Sequence, residues 1–125
     1  MANIELQGVD ELMNKVNRLG KKGTRIENRA LKNAGSVVKK AIKEEAPVKT
    51  GRLRENINTS GIRTKEGIKH VAIGPGSDAF YAVFIEFGTV HIRANPFMSR
   101  GYERSKGEAM NKISEELRRG LGLWV

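Results

Sequence analysis

Apolar residues recur at helical spacing in two long segments of this 125-residue chain. One segment runs from about Thr24 to Glu45, and the other follows Asn95 and continues to about Arg119. Apolar positions three and four residues apart share one face of an α-helix, which is then buried against another element. The pattern predicts two long amphipathic helices. A shorter helix is predicted before them, with five apolar residues on one face: Val9, Leu12, Met13, Val16 and Leu19.

Residues with capping chemistry mark the predicted helix ends. Thr24 is predicted to cap the first long helix, with Glu27 as its capping-box partner, and Pro47 is predicted to end that helix. Asn95 is predicted to cap the second long helix, with Pro96 at the first helical position. Small residues along the first of these helices would allow another element, or another subunit, to approach it closely.

Two-residue alternation predicts the strands. Residues 57–63 and 68–73 read as a hairpin whose turn, residues 64–67, contains Gly67 where a positive φ is expected. Residues 74–78 read as a glycine-rich loop. Tyr81–Phe87 alternates and is apolar on both faces, so it is predicted to be a strand that is central or covered on its second face by another element. Residues 4–6 are predicted to form a short edge strand.

Together these elements predict an α+β fold. An antiparallel sheet of three to four strands would pack against two long helices and a short N-terminal helix, in a single domain over residues 1–125. The apolar tail over residues 120–125 is expected to be flexible or to dock on the core or on a neighbour.

Charge changes this picture most. The net charge is +9 and the isoelectric point is near 10.1, which favours polyanionic partners, with nucleic acid first. The positive charge is spread along the chain without a dense tract, so a solvated lysine-rich surface is the plainer interpretation. Five basic residues of the first long helix are the candidates to face DNA: Arg29, Lys32, Lys39, Lys40 and Lys43.

No pattern predicts catalysis, a metal site or a cofactor. The histidines, His70 and His91, have no second histidine at helical spacing, and the chain has no cysteine. Glu86 and Asp78 are the carboxylates nearest the predicted central strand, but nothing in the sequence brings them together as an acid–base pair. The segment Thr50-Gly51 has no local base. We therefore expect a protein that is not an enzyme.

The carboxylate of Glu86 is instead expected to pair with an arginine, or to cap backbone N–H groups at the Gly88-Thr89 turn. The candidate arginines are Arg52, Arg54 and Arg93. No apolar run is long enough to cross a membrane, and the first residues lack the features of a secretion signal. A soluble protein of the cytoplasm or of a particle is expected.

Two motifs occur in order along the chain. Residues 46–57 read APVKTGRLRENI, and residues 81–89 read YAVFIEFGT, followed by ANPFM at residues 94–98. Together they resemble the tail-component family of long-tailed bacteriophages typified by the gene-ten product of phage HK ninety-seven. The motif residues are Pro47, Thr50, Gly51, Leu53, Glu86, Phe87, Gly88, Thr89, Pro96 and Phe97.

This resemblance implies a structural protein of virion morphogenesis, acting at the head–tail neck or at tail completion as a subunit of a homo-oligomeric ring. Its implied partners are further copies of itself and neighbouring neck or tail proteins, with non-specific contact to DNA in the channel and no membrane. It would be assembled in the host cytoplasm and located in the virion. The loop after the second motif is the candidate contact with a neighbour: Val90, His91, Ile92 and Arg93.

Two alternatives remain at this point. The charge of +9 also suits a small basic protein that binds nucleic acid without reading its sequence. A small hydrolase would require Glu86 to act in catalysis. The motif glycines and threonines also have a plainer interpretation as turn residues, which would serve the fold and only indirectly an interface.

Overall fold

A computed structural model describes residues 2–5, 10–47, 52–76, 82–91 and 93–122. The predicted α+β class is confirmed, with an antiparallel sheet, a short N-terminal helix and two long helices. The elements in chain order are β1 (Ala2–Glu5), α1 (Asp10–Asn17), α2 (Lys21–Glu45), α3 (Arg52–Glu55), β2 (Ile57–Thr59), β3 (Arg63–Lys65), β4 (Ile68–Pro75), α4 (Ala82–Phe87) and α5 (Phe97–Gly120).

The sheet is built around β4. Strand β1 pairs antiparallel with one edge of β4, while β2 and β3 pair in succession with its other edge. The predicted first hairpin strand is therefore interrupted between Thr59 and Arg63. Strands β3 and β4 form the hairpin, and the two residues of its turn, Glu66 and Gly67, have positive φ angles of 52° and 79°. Type I′ hairpin turns require a positive φ at both of these positions. Residues 74 and 75 of the predicted loop at 74–78 belong instead to β4, which continues through Pro75 paired with Ile57, and residues 77 and 78 lie outside the described residues.

The two long helices pack against each other in opposite directions and cover the sheet. Near one end of the pair, a side chain at Gly101 of α5 would collide with the backbone of Ile42 in α2. At the other end, Gly120 of α5 lies against Ile26 of α2. The small-residue face of α2 is thus occupied by α5 and the sheet of the same chain, so it does not supply the intersubunit surface suggested by the sequence.

Helix α2 begins earlier than predicted. Gly20 is its N-cap residue, with φ 60°, and as a glycine it has no side chain to cap this end. The predicted capping box of Thr24 and Glu27 is wrong. The Thr24 hydroxyl donates to the carbonyl of Gly20 one turn back, and the Glu27 carboxylate is buried with the ammonium of Lys69 in β4 2.6 Å away.

The predicted central strand at Tyr81–Phe87 is also wrong. Residues Ala82–Phe87 form the short helix α4, while Tyr81 lies outside the described residues. Ala82 and Glu86 are buried and Ile85 is half-buried, which is the i, i+3, i+4 spacing of a helix. A short run that is apolar at nearly every position fits both periods, and packing decides between them. The central strand is β4, whose Val71 and Ile73 are fully buried.

Candidate functional site

Glu86 caps the start of α5 from another helix. One carboxylate oxygen accepts the backbone N–H of Met98 at 2.8 Å. The other oxygen accepts the N–H of Ser99 at 3.3 Å and its hydroxyl at 2.6 Å. The first N–H groups of a helix have no partner within the helix, and their end carries positive partial charge. A buried carboxylate at this position satisfies those donors and is itself satisfied by them.

A backbone hydrogen bond closes the loop that follows α4. The N–H of Asn95 donates to the carbonyl of Ile85 at 2.8 Å. The prediction that Asn95 caps α5 is wrong, because Pro96 is the N-cap residue and no side chain of its own segment caps this end. The amide oxygen of Asn95 instead accepts from the guanidinium of Arg100 at 2.8 Å. Residues 85 and 95 are thereby fixed together, next to the Glu86 cap.

Between these fixed points, the loop presents apolar surface to solvent. Gly88 has φ 76°, a backbone conformation that favours glycine and turns the chain after α4. The hydroxyl of Thr89 accepts the N–H of His91 at 3.2 Å. Phe87 is 74% exposed and Val90 is 96% exposed. The Glu86 carboxylate therefore holds the start of α5, and not the Gly88-Thr89 turn as its position in the sequence suggested.

The four predicted contact residues fall in this loop. His91 and Arg93 are exposed like Val90, and Ile92 lies outside the described residues. We call the exposed residues Phe87, Val90, His91 and Arg93 the α4–α5 loop surface.

The first motif mostly serves the core and the end of α2. Leu53 and Ile57 are buried, and Pro47 is half-buried just beyond the helix. Arg54 was a candidate partner of Glu86, but its guanidinium donates to the carbonyl of Lys43 at 3.0 Å. It thus places a cation at the C-terminal end of α2, where the helix dipole favours positive charge.

The other motif residues divide between the core and the surface. Thr50 and Gly51 lie outside the described residues. Phe97 is fully buried, whereas Pro96 and Thr89 are exposed. Arg93, another of the three candidate partners of Glu86, is exposed to solvent, and Arg52 lies at the start of α3.

The predicted DNA-facing residues lie along the outer side of α2. Arg29, Lys32 and Lys40 are exposed, and Lys39 and Lys43 are half-buried. They belong to the same helix face, away from α5 and the sheet, which bury the opposite side of α2.

Groups for metal or acid–base chemistry do not converge in the described ranges. No set of three histidine, aspartate or glutamate side chains there could hold a metal ion. His70 is half-buried in β4 and His91 lies on the exposed loop. Asp78, considered as a partner of Glu86, lies outside the described residues. Among the described helices, none is both long and apolar enough to cross a bilayer.

The site thus consists of a capped helix start and an exposed loop beside the cap, within an α+β fold. Residues 10–88, more than half of the chain, match the family described as "Bacteriophage HK97-gp10, putative tail-component". The chain belongs to this family, and the match supports a structural role in a bacteriophage. No curated protein and no solved structure matches the chain.

Sequence reasoning missed two features of the site. The bond from Glu86 to Met98 joins residues that are 12 apart, which local capping rules do not cover. The bond from Arg54 to Lys43 joins two helices in the same way. The sequence did contain a signal for both. Glu86 precedes the start of one predicted helix and Arg54 follows the end of another, and the helix dipole favours a negative charge at the first and a positive charge at the second.

Proposed function

We propose that this protein is a structural, non-enzymatic subunit of the phage head–tail neck or tail-completion complex. In this proposal, copies of the chain form a ring in the virion, and each copy uses the α4–α5 loop surface to contact a neighbour. The proposal rests on family membership for the phage role and on the exposed loop for the mode of action.

The observation that carries the proposal is that the loop between α4 and α5 is held at both ends while two of its apolar side chains are exposed. Glu86 and the Ile85–Asn95 hydrogen bond hold the two ends of the loop, while Phe87 and Val90 remain largely exposed. A loop already held in place loses little conformational entropy on binding. Aromatic side chains such as that of Phe87 are enriched at protein interfaces, and Val90 adds apolar area beside it.

A ring also requires two different surfaces on each subunit. Cyclic contacts of more than two copies bury one patch against a different patch of the next copy. The α4–α5 loop surface would supply one patch.

The buried Glu86 supports a structural role for the motif, because both of its oxygens accept hydrogen bonds from the start of α5.

Electron microscopy of particles made by a phage that lacks this protein tests at which stage of virion assembly the protein acts. The proposal expects full heads and separate tails, with normal virions restored by the wild-type protein supplied in trans. Virions that are joined and infectious without the protein would contradict the neck and tail-completion role.

Light scattering of the purified protein across a concentration series tests the ring. A discrete multi-subunit mass, alone or on addition of neck or tail proteins, is expected. A strict monomer under all of these conditions would contradict the ring while leaving the phage structural role intact.

A further inference from the structure

All eight basic residues of α2 lie on one face. With 3.6 residues per turn, they fall within an arc of about 100° and span about 33 Å along the helix. These residues, which we call the basic ridge, are Lys21, Lys22, Arg25, Arg29, Lys32, Lys39, Lys40 and Lys43. Lys21 and Lys22 extend the set predicted from the sequence because α2 starts at Lys21, and Arg25, inside the predicted helix, lies on the same face.

The charges of the ridge are not neutralised within the described parts of the chain. None of the eight cations forms an ion pair with a described carboxylate. The three acidic residues of α2 pair with cations of other elements, through the pairs Glu27–Lys69, Glu44–Arg104 and Glu45–Arg100. The ridge is therefore a row of unpaired positive charge, with six of its eight members exposed and Lys39 and Lys43 half-buried.

Helix α5 provides the contrast. Five of its six basic residues, all but Arg118, are paired with carboxylates, namely Arg100, Arg104, Lys106, Lys112 and Arg119. The hydrogen bond from Lys106 to Glu103, and then the charge of Glu103, raise the pKa of Lys106 above its ordinary value. Both helices are rich in lysine and arginine, but the basic residues of α2 form no ion pairs with described carboxylates, whereas five of the six on α5 do.

The shape of the ridge favours duplex DNA over other polyanions. An interfacial membrane helix inserts its apolar face, but that face of α2 is buried against α5 and the sheet. Single-stranded nucleic acid is bound by stacking bases on aromatic side chains, and the ridge face contains only basic residues and Ser36. A straight row of about 33 Å matches one turn of duplex DNA, about 34–36 Å.

We propose that the basic ridge of α2 binds the phosphate backbone of double-stranded DNA without reading base sequence. The ammonium and guanidinium groups would contact phosphates and release counterions, which makes the affinity strongly dependent on salt. This inference does not require a ring or the α4–α5 loop surface.

Fluorescence anisotropy with a labelled DNA duplex of mixed sequence, measured over a salt series, tests whether the ridge binds duplex DNA. The variant Lys32→Gln/Lys40→Gln removes two exposed, unpaired charges and keeps good helix-forming residues. We expect the slope of log affinity against log salt to become shallower by about two, and the affinity at about 0.1 M salt to fall roughly 10- to 50-fold.

The matched control is Lys106→Gln/Arg118→Gln, which removes the same charge from exposed positions of α5. It should lower the affinity by no more than about threefold, since long-range charge alone is screened. Circular dichroism verifies that both variants are folded. Equal losses in the two variants, salt-independent binding, or tighter binding of single-stranded DNA or anionic vesicles than of the duplex would overturn the proposal. The variant Phe87→Ser should bind duplex DNA like wild type, which separates this test from that of the ring.

Discussion

Phe87 and Phe97 lie on either side of one loop, yet Phe87 is 74% exposed and Phe97 is fully buried. Phe87 lies within the residues that match the family and Phe97 lies beyond them, and the Glu86 cap stands between the two. The carboxylate fixes the start of α5, which places Phe97 in the core, and it leaves the end of α4 to present Phe87 to solvent. Two phenylalanines only ten residues apart therefore lie in different places, one in the core and one on the surface.

The largest expected difference in stability is between alanine variants of these two phenylalanines. Phe97→Ala should lower the free energy of unfolding by about 3–5 kcal/mol, because it leaves a cavity among fully buried side chains. Phe87→Ala should change it by no more than about 0.5 kcal/mol. Urea unfolding followed by the helical circular dichroism signal measures both. Equal losses for the two variants would mean that the loop is part of the core.

Glu86→Ala is expected to have the next largest effect. It leaves the N–H groups of Met98 and Ser99 without their acceptor, at a cost of about 2–4 kcal/mol of unfolding free energy. Glu86→Gln keeps an acceptor oxygen and should cost less, about 1–2 kcal/mol. The exposed ion-pair residue Glu103 supplies the control, since Glu103→Ala should cost no more than about 1 kcal/mol. A Glu86→Ala protein that unfolds at the wild-type urea concentration would refute the capping role.

Two glycines of α5 extend the contrast between buried and exposed positions. Alanine favours a helix over glycine by about 1 kcal/mol, so sequence alone predicts stabilisation at both sites. Gly107 is exposed with open space around it, and Gly107→Ala should stabilise the protein by about 0.5–1 kcal/mol. At Gly101 the new methyl group would lie 2.6 Å from the Cα of Ile42, and Gly101→Ala should cost about 1–3 kcal/mol. Stabilisation by both substitutions would contradict the close approach of α5 to α2.

Much of the fold was predictable because it depends on local periodicity. The long helices and the Glu66-Gly67 hairpin follow from helical spacing and from glycine at a turn. The structure of residues 82–87 could not be predicted in this way. A run of six mostly apolar residues fits a strand and a helix equally well, and tertiary packing decides between them.

The site was predictable only in part, for the same reason. The motifs drew attention to Glu86, but its partners at Met98 and Ser99 come from a different helix. Exposure of Phe87 could not be inferred while α4 was read as a strand. The basic ridge, by contrast, follows from helical projection alone once the first residue of α2 is known.

One variant tests the separation of fold from surface most directly, namely Phe87→Ser/Val90→Ser in a phage that lacks the wild-type protein. Its control is Leu19→Ser, which changes the other large exposed apolar side chain of the described residues. We predict that the double variant unfolds within about 0.5 kcal/mol of wild type but fails to restore joined virions, while Leu19→Ser restores them. Full restoration by the stable double variant would contradict the account, as would a loss of several kcal/mol in its stability.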